Sequence, residues 1–224
     1  MKIIELNETV TASNDRDAEA LRLWLREAGT LLINVMSSPG SGKTILISRL
    51  IRDLTDLRIG VLEADIESDV DARRVEALGA SSIQVHTSGM CHMDAGMTCE
   101  AINAMGCGKA DLLFLENVGN LICPAEYDTG AGLNLMLLSV PEGDDKPLKY
   151  PLMFQKSDAL VITKTDALPW FDFDMEKCAA RAKALNPKIQ IFPVSAKTGD
   201  GMEQLEHWLT DKLTDWRTRP KPSP

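Results

Sequence analysis

The stretch Leu31-Leu32-Ile33-Asn34-Val35-Met36-Ser37-Ser38-Pro39-Gly40-Ser41-Gly42-Lys43-Thr44, followed at once by ILISRLIRDL (45–54), decides the fold. An apolar run of strand length runs into a loop rich in glycine and serine, and that loop opens a helical pattern beginning with Lys and Thr. This is the strand–loop–helix context of a Walker A phosphate loop. Its glycines let successive backbone N–H groups turn inward on phosphate oxygens, and the following helix points its positive end at the same place. Pro39, Gly40, Ser41 and Gly42 form the cradle, Lys43 bridges the β- and γ-phosphates, and the Thr44 hydroxyl serves Mg²⁺. Ser37 stands where the pattern has its first glycine, which works if the backbone there keeps a negative φ.

Working outward, further β-prone runs alternate with helical patterns, the mark of an α/β chain with a parallel sheet. Strands are expected at 31–36, 59–65, 82–86, 111–116, 133–140, 159–163 and 189–194, about seven in all. Helices are expected at about 43–54, 71–78, 94–106, 174–185 and 202–213, with Gly79 and the Gly106/Gly108 pair as stops. Ahead of the first strand, Ser13-Asn14-Asp15 offers helix caps, Ala18, Leu21, Leu25 and Ala28 share a face, and Gly29 supplies the stop. The organisation is a helical extension over 1–29, a phosphate-loop domain over 30–213, and a disordered tail over 214–224.

The whole chain is 224 residues, 44% hydrophobic and 25% charged, enough to bury about 70% of its unfolded surface without disulfide or metal staples. A metal site in such a chain is functional. Lys+Arg 24 against Asp+Glu 33 gives a net charge of −9, which disfavours nucleic acid and anionic membranes as partners. The first residues hold no signal-peptide pattern and no apolar run is long enough to span a bilayer, so the expected compartment is the cytoplasm. Five cysteines without a CxxC pair read as thiols for packing or metal.

Thr163-Lys164-Thr165-Asp166 follows the sixth strand and Ser195-Ala196-Lys197 the seventh. These resemble the NKxD and SAK segments with which guanine-nucleotide-binding proteins read their base. A carboxylate such as Asp166 can accept from both guanine N1 and the exocyclic amine, a donor pair adenine lacks, while the Lys164 stem covers the base. Thr163 replaces the usual asparagine, and a weaker tie to the phosphate loop is expected. Asp65 ends the second strand and Glu116 the fourth, both at the sheet edge beside Thr44, where Mg²⁺ belongs. Glu116-Asn117-Val118-Gly119 has the spacing of a DxxG switch, in which the Gly119 N–H senses the γ-phosphate. Asp69 or Asp71, in the loop after Asp65, is a source of a water-orienting group; the sequence does not choose between them.

Cys91-His92 follows the third strand, and Cys123 lies four residues beyond Gly119. Thiolate and imidazole suit Zn²⁺ or Ni²⁺ and would be wasted on Mg²⁺. Three such ligands leave a four-coordinate metal one short, to be supplied by water or a symmetry-related copy. Movement of Gly119 with the γ-phosphate would reach the Cys123 thiol through a short piece of backbone. Cys99, Cys107 and Cys178 read as packing, and His86 and His207 have no metal role.

Taken together, SSPGSGKT, DIESDVDA, GMCHMDAGM, FLENVGNLICPAEYDTG, SVPEGDDKPLKYPLMF, TKTDALP and VSAKTGDGM resemble, in order from about Leu31 to Leu209, the hydrogenase-maturation nickel-insertion GTPases (HypB family), in the dimerising group that includes the urease accessory GTPase. The resemblance implies a GTPase that forms a homodimer on GTP and binds Ni²⁺ or Zn²⁺ at the interface through Cys91, His92 and Cys123. It also implies a role in loading nickel into the [NiFe]-hydrogenase large subunit, helped by a small zinc-containing HypA-type partner. Ala131 stands where members often have glutamate, and no cysteine-rich or histidine-rich N-terminal motif is present, so nickel storage is not expected. Three other readings are weighed: a nickel chaperone for urease or another metalloenzyme, a small-molecule kinase, and a non-enzymatic metal carrier. A kinase should carry arginines in a lid over the phosphates, and the stretch after Glu116 offers none.

Overall fold

The computed structural model describes residues 6–65, 78–87, 89–106 and 110–218. Seven strands form one sheet: β1 (Leu31–Ser37), β2 (Ile59–Asp65), β3 (Ser81–His86), β4 (Leu112–Glu116), β5 (Leu133–Ser139), β6 (Ala159–Thr163) and β7 (Gln190–Pro193). Their order is β3-β2-β4-β1-β5-β6-β7 and every pairing is parallel. Parallel strands need crossovers that cover both sheet faces, so the central strands become continuous apolar runs. Accordingly β1 and β6 are buried at every position, whereas the edge strands β3 and β7 are half-buried inside with exposed end residues.

The helices are α1 (Leu6–Ala28), α2 (Lys43–Asp53), α3 (Ala95–Met105), the short α4 (Cys123–Glu126), α5 (Lys146–Lys149) and α6 (Pro151–Gln155), then α7 (Met175–Leu185) and α8 (Met202–Thr218). Asp94 caps α3 by accepting from the Met97 N–H, and Asp174 caps α7 by accepting from the Lys177 N–H. The expected helix at 71–78 lies almost wholly outside the described residues, as do Asp69 and Asp71.

Two expectations about the ends need correction. Helix α1 starts well before the proposed caps, and Asn14 sits inside it, tying the helix to the rest of the fold. Its Nδ2 donates to the Asp128 carbonyl at 2.9 Å and its Oδ1 accepts from the Ala95 N–H at 3.0 Å. Leu21 and Leu25 place this helix against the main core. At the other end the tail does not begin at 214. The stripe Leu205, Leu209, Leu213, Trp216 keeps helical spacing, so α8 continues to Thr218 with Trp216 only 4% exposed, and the Arg217 Nε donates to the Gly29 carbonyl at 2.9 Å. Residues 219–224 lie outside the described part.

Candidate functional site

The phosphate loop leaves the centre of the sheet, where the carboxyl ends of β4 on one side and β5 on the other flank β1, the place where α/β sheets bind ligands. Gly42 takes φ +95 immediately before α2, a conformation that suits glycine. Ser37, as the end of β1, is not among the positive-φ residues and meets the condition its replacement of glycine set. The Lys43 ammonium is buried within the loop and donates to Ser37 Oγ at 3.1 Å. In front lies a cavity of about 430 Å³, lined by residues that include Gly40, Gly42, Lys43, Thr44, Glu116, Gly119 and Lys164.

At the end of β6, Thr163, Lys164 and Asp166 lie beside the loop. Thr163 Oγ1 donates to the Ser41 carbonyl at 2.7 Å, so a threonine hydroxyl makes a tie to the phosphate loop where the usual asparagine is missing. Lys164 adopts a left-handed φ of 58 and its Nζ donates to the Gly40 carbonyl at 2.7 Å, laying its stem along the cavity. Ser195 Oγ donates to Asp166 Oδ1 at 2.8 Å and itself accepts from the Thr198 N–H, which fixes one carboxylate oxygen and joins the segments that follow β6 and β7. Ala196 is half-buried beside them, with its carbonyl facing Arg49, and Lys197 is exposed.

At the opposite end, Thr44 Oγ1 donates to Glu116 Oε1 at 2.9 Å. A hydroxyl and a carboxylate meeting beside a phosphate loop are the hard oxygen donors that suit Mg²⁺, so the residues present fit that ion. Asp65 ends β2, which pairs with β4, so its backbone reaches the same sheet edge. Glu63, the register partner of Glu116 across that pair, is buried at the cavity wall. Gly119 lies against the phosphate loop: a Cβ there would come within 2.9 Å of the Pro39 ring and 3.0 Å of its backbone nitrogen.

Beyond Gly119 the chain turns into α4, and the two sequence-predicted sulfurs meet. Cys91 Sγ lies 2.7 Å from Cys123 Sγ, closer than the roughly 3.8 Å that two sulfurs span on one tetrahedral ion at 2.3 Å bonds. The bond with Cys91, aided by burial, pushes the Cys123 thiol up, while the Asn120 amide, donating at 3.4 Å, pulls the other way. His92 is turned aside. Its ring stacks on Tyr127 at 3.7 Å with Nδ1 3.8 Å from Cys91 Sγ, and burial pushes its pKa down against Asp94 and Glu126, which favours the neutral imidazole. Among the described residues no three His, Cys, Asp or Glu side chains form a complete cage. The chain thus assembles a dithiol with an imidazole beside it, half-exposed, and leaves the trio unclosed. Cys178 is buried in packing as expected, its thiol pushed up to about 12 by desolvation.

Two residues of the site escaped the sequence reading. Glu142, after β5, holds the back of the phosphate loop: its carboxylate accepts from Ser38 Oγ, from Ser41 Oγ at 2.8 Å, and from the Ser139 N–H and hydroxyl. The S-x-x-E spacing of Ser139 and Glu142 signals the local capping box, but nothing in it announces the loop a hundred residues upstream. Asn117 is the other, wholly buried between Glu116 and Val118.

The CobW/HypB/UreG nucleotide-binding domain matches residues 31–193. Hydrogenase maturation factor HypB of Rhizobium leguminosarum bv. viciae is 44% identical over 93% of this chain and 70% of its own. The hydrogenase/urease maturation factor HypB of Helicobacter hepaticus is 40% identical over 94% and 88%. The crystal structure of Helicobacter pylori HypB in complex with nickel superposes with a TM-score of 0.87 at 37% identity, covering 93% of this chain and 99% of that one. The signal recognition particle receptor FtsY of Elizabethkingia anophelis, at 13% identity and a TM-score of 0.54 over 85% of this chain and 64% of its own, shares the fold alone. On the phosphate loop, the sheet order and the match across most of its length, this chain belongs to the CobW/HypB/UreG nucleotide-binding family and, within it, to the HypB maturation factors.

Proposed function

We propose that the protein is a GTP-hydrolysing metallochaperone that carries nickel, or zinc, and assists nickel insertion into the [NiFe]-hydrogenase large subunit. The observation that carries this reading is the meeting of Cys91 and Cys123 at the end of the segment that starts at Glu116 and passes Gly119 against the phosphate loop. A soft dithiol thus sits a few backbone steps from the place where a γ-phosphate binds.

Asp166 selects guanine by accepting from N1 and the exocyclic amine, its carboxylate held in place by the Ser195 hydroxyl. Lys43 and the loop amides bind the phosphates, and Thr44, Glu116 and Asp65 hold Mg²⁺, which supplies charge neutralisation between the terminal phosphates. Asp69 or Asp71, in the loop after Asp65, is the source of the group that orients the attacking water. The stretch after Glu116 offers no arginine finger, so unaided hydrolysis is slow and a partner accelerates it. While GTP is bound, Gly119 is drawn to the γ-phosphate and fixes the path to Cys123; phosphate release frees that path and alters metal affinity. A complete switch needs about 5.5 kcal/mol of differential binding, so a partial shift completed by a partner is the economical scheme.

The unclosed trio supports assembly between two copies: Cys91 and Cys123 of each chain, with His92, meet across a two-fold axis in a GTP-dependent homodimer. A HypA-type nickel protein and the hydrogenase large subunit are the partners on either side of the transfer. Among the described residues no helix is long and apolar enough to cross a membrane, which accords with a cytoplasmic setting.

Nickel titration of the wild type beside Cys123→Ala, with GDP and with a non-hydrolysable GTP analogue, tests the reading. Unequal affinities in the two nucleotide states and a large loss in the variant are expected. Equal affinities remove the coupling, and an unchanged variant removes the ligand. A second target has specific support in the Helicobacter hepaticus relative, whose name joins urease to hydrogenase; pull-down against apo-hydrogenase and apo-urease components separates the two.

A further inference from the structure

Three asparagines cross the middle of the sheet where apolar side chains would be expected. Asn34 on β1 pairs in register with Asn134 on β5, and Asn117 follows β4. Asn117 is fully buried and Asn34 nearly so. A buried amide is costly unless each polar atom finds a partner, and here the neighbours fix which way each amide faces. The backbone N–H groups of Met93 and Val118 can only donate, so Asn117 presents Oδ1 to both, at 3.2 and 2.9 Å. Its Nδ2 therefore donates to Asn34 Oδ1 at 3.0 Å, and Asn34 Nδ2 in turn donates to Asn134 Oδ1 at 3.0 Å. The Asn117 N–H donates to the Val35 carbonyl at 3.0 Å, which locks the residue to the strand that feeds the phosphate loop.

The position of Asn117 gives this cluster its consequence. It directly follows Glu116 and precedes Gly119 by two residues, while Met93 directly follows His92. Cys123 is joined to the nucleotide-facing strand end by short backbone, but Cys91 and His92 are remote in sequence, with Met93 and Asn117 separated by 24 positions. We propose that Asn117 is a positioning residue that couples the two sites, holding the Glu116–Gly119 turn and the Cys91-His92-Met93 turn in one frame so that both arms of the dithiol respond to the γ-phosphate. A shift of the strand end carries the Oδ1 acceptor with it, and the Met93 N–H must follow or lose its buried partner. The inference deepens the proposed function and rests on its nucleotide-dependent metal affinity.

The test uses Ni²⁺ alone, titrated against a chromophoric chelator, into full-length wild type, Asn117→Ala and Asn134→Ala. GDP or a non-hydrolysable GTP analogue is held at saturation so that nucleotide affinity does not enter. The readout is the ratio of nickel Kd values between the two nucleotide states. In the wild type this ratio departs from one; in Asn117→Ala it falls to within twofold of one. In Asn134→Ala, which trims the half-buried far end of the ladder and leaves the Met93 contact in place, the wild-type ratio is kept. A wild-type ratio in Asn117→Ala overturns this inference and leaves the proposed function standing, whereas a ratio of one in the wild type overturns both. Equal loss in Asn134→Ala assigns the effect to general loosening and also overturns the inference. Should Asn117→Ala fail to fold, amide hydrogen exchange on the wild type decides: protection at Met93 and Val118 changes together between nucleotide states, and an unchanged Met93 overturns the coupling.

Discussion

Thr163 closes the phosphate loop from the end of β6 by donating its hydroxyl to the carbonyl of Ser41, 122 residues earlier in the chain, at 2.7 Å. Thr163 is buried, so removing the hydroxyl without changing shape strands that carbonyl away from water. Thr163→Val is expected to cost about 1 kcal/mol, roughly a fivefold loss of GDP affinity, while Thr163→Asn retains affinity by bridging the same gap. Titration with a fluorescent guanine nucleotide reads both, and a fully active valine variant removes the tie from the account of binding.

Glu142 satisfies Ser38, Ser41 and Ser139 with a single carboxylate. Its negative charge lies behind a loop whose amides must face an anion, so the serine hydroxyls are drawn backward and the cradle stays open in front. Glu142→Ala leaves several donors without their acceptor and should weaken nucleotide binding by about 10- to 100-fold, the scale of charge-assisted bonds. Glu142→Gln keeps one acceptor and falls between. Calorimetric GDP titration separates the three proteins, and equal affinities would sink the idea that the carboxylate shapes the loop.

Gly119 faces Pro39 with no room for a methyl group, the nearest atoms being the ring at 2.9 Å and backbone at 3.0 Å and 3.1 Å. Backbone cannot swing away as a side-chain tip can, so Gly119→Ala must push the turn off the loop, an overpacking cost of about 1–3 kcal/mol. The expected outcome is a loss of GTP-analogue affinity greater than that of GDP, because in the proposed function the displaced turn is the one that meets the γ-phosphate. Parallel titrations with both nucleotides check it; equal losses would place Gly119 in general packing.

How much of this was legible in the sequence depends on how far apart the cooperating residues lie. The phosphate loop is contiguous, and the buried parallel strands are continuous apolar runs, so both could be read directly. Cys91 and Cys123 were legible as metal-type residues, although their meeting required the topology that puts the turns after β3 and β4 at one edge. Glu142 and Asn117 were not legible, since a lone glutamate or asparagine carries no period and their partners lie 104 and 83 residues away. The N-terminal caps misled for a related reason: the Ser13-Asn14-Asp15 signal is local, whereas Asn14 is claimed by Asp128 and Ala95 across the fold. The last helix outran its expected end because Trp216 continues a stripe whose value appears only when the core is assembled.

Asp111 joins the residue that precedes β2 to the end of α8. Its carboxylate accepts from the Arg58 side chain at 3.0 Å twice and from the Arg58 N–H at 2.8 Å, and it also pairs with Arg217 of α8. The bonds from Arg58 hold its pKa well below the usual carboxylate range, against burial that pushes it up, with the backbone amide and Arg217 adding to the depression. A carboxylate depressed in the folded state contributes stability that is fully present above the unfolded pKa of about 3.9 and is lost as pH falls through the folded value. Asp111→Asn should therefore lower stability by about 2 kcal/mol near neutral pH, less than a fully enclosed pair would give because Arg58 faces solvent. The gap between variant and wild type should hold from pH 7 to 5 and narrow below about pH 4, where the unfolded wild-type carboxylate takes up its proton. Urea unfolding of both proteins at pH 7, 5 and 3.5 measures this. A gap that stays constant to pH 3.5 would mean the aspartate acts through shape and not charge.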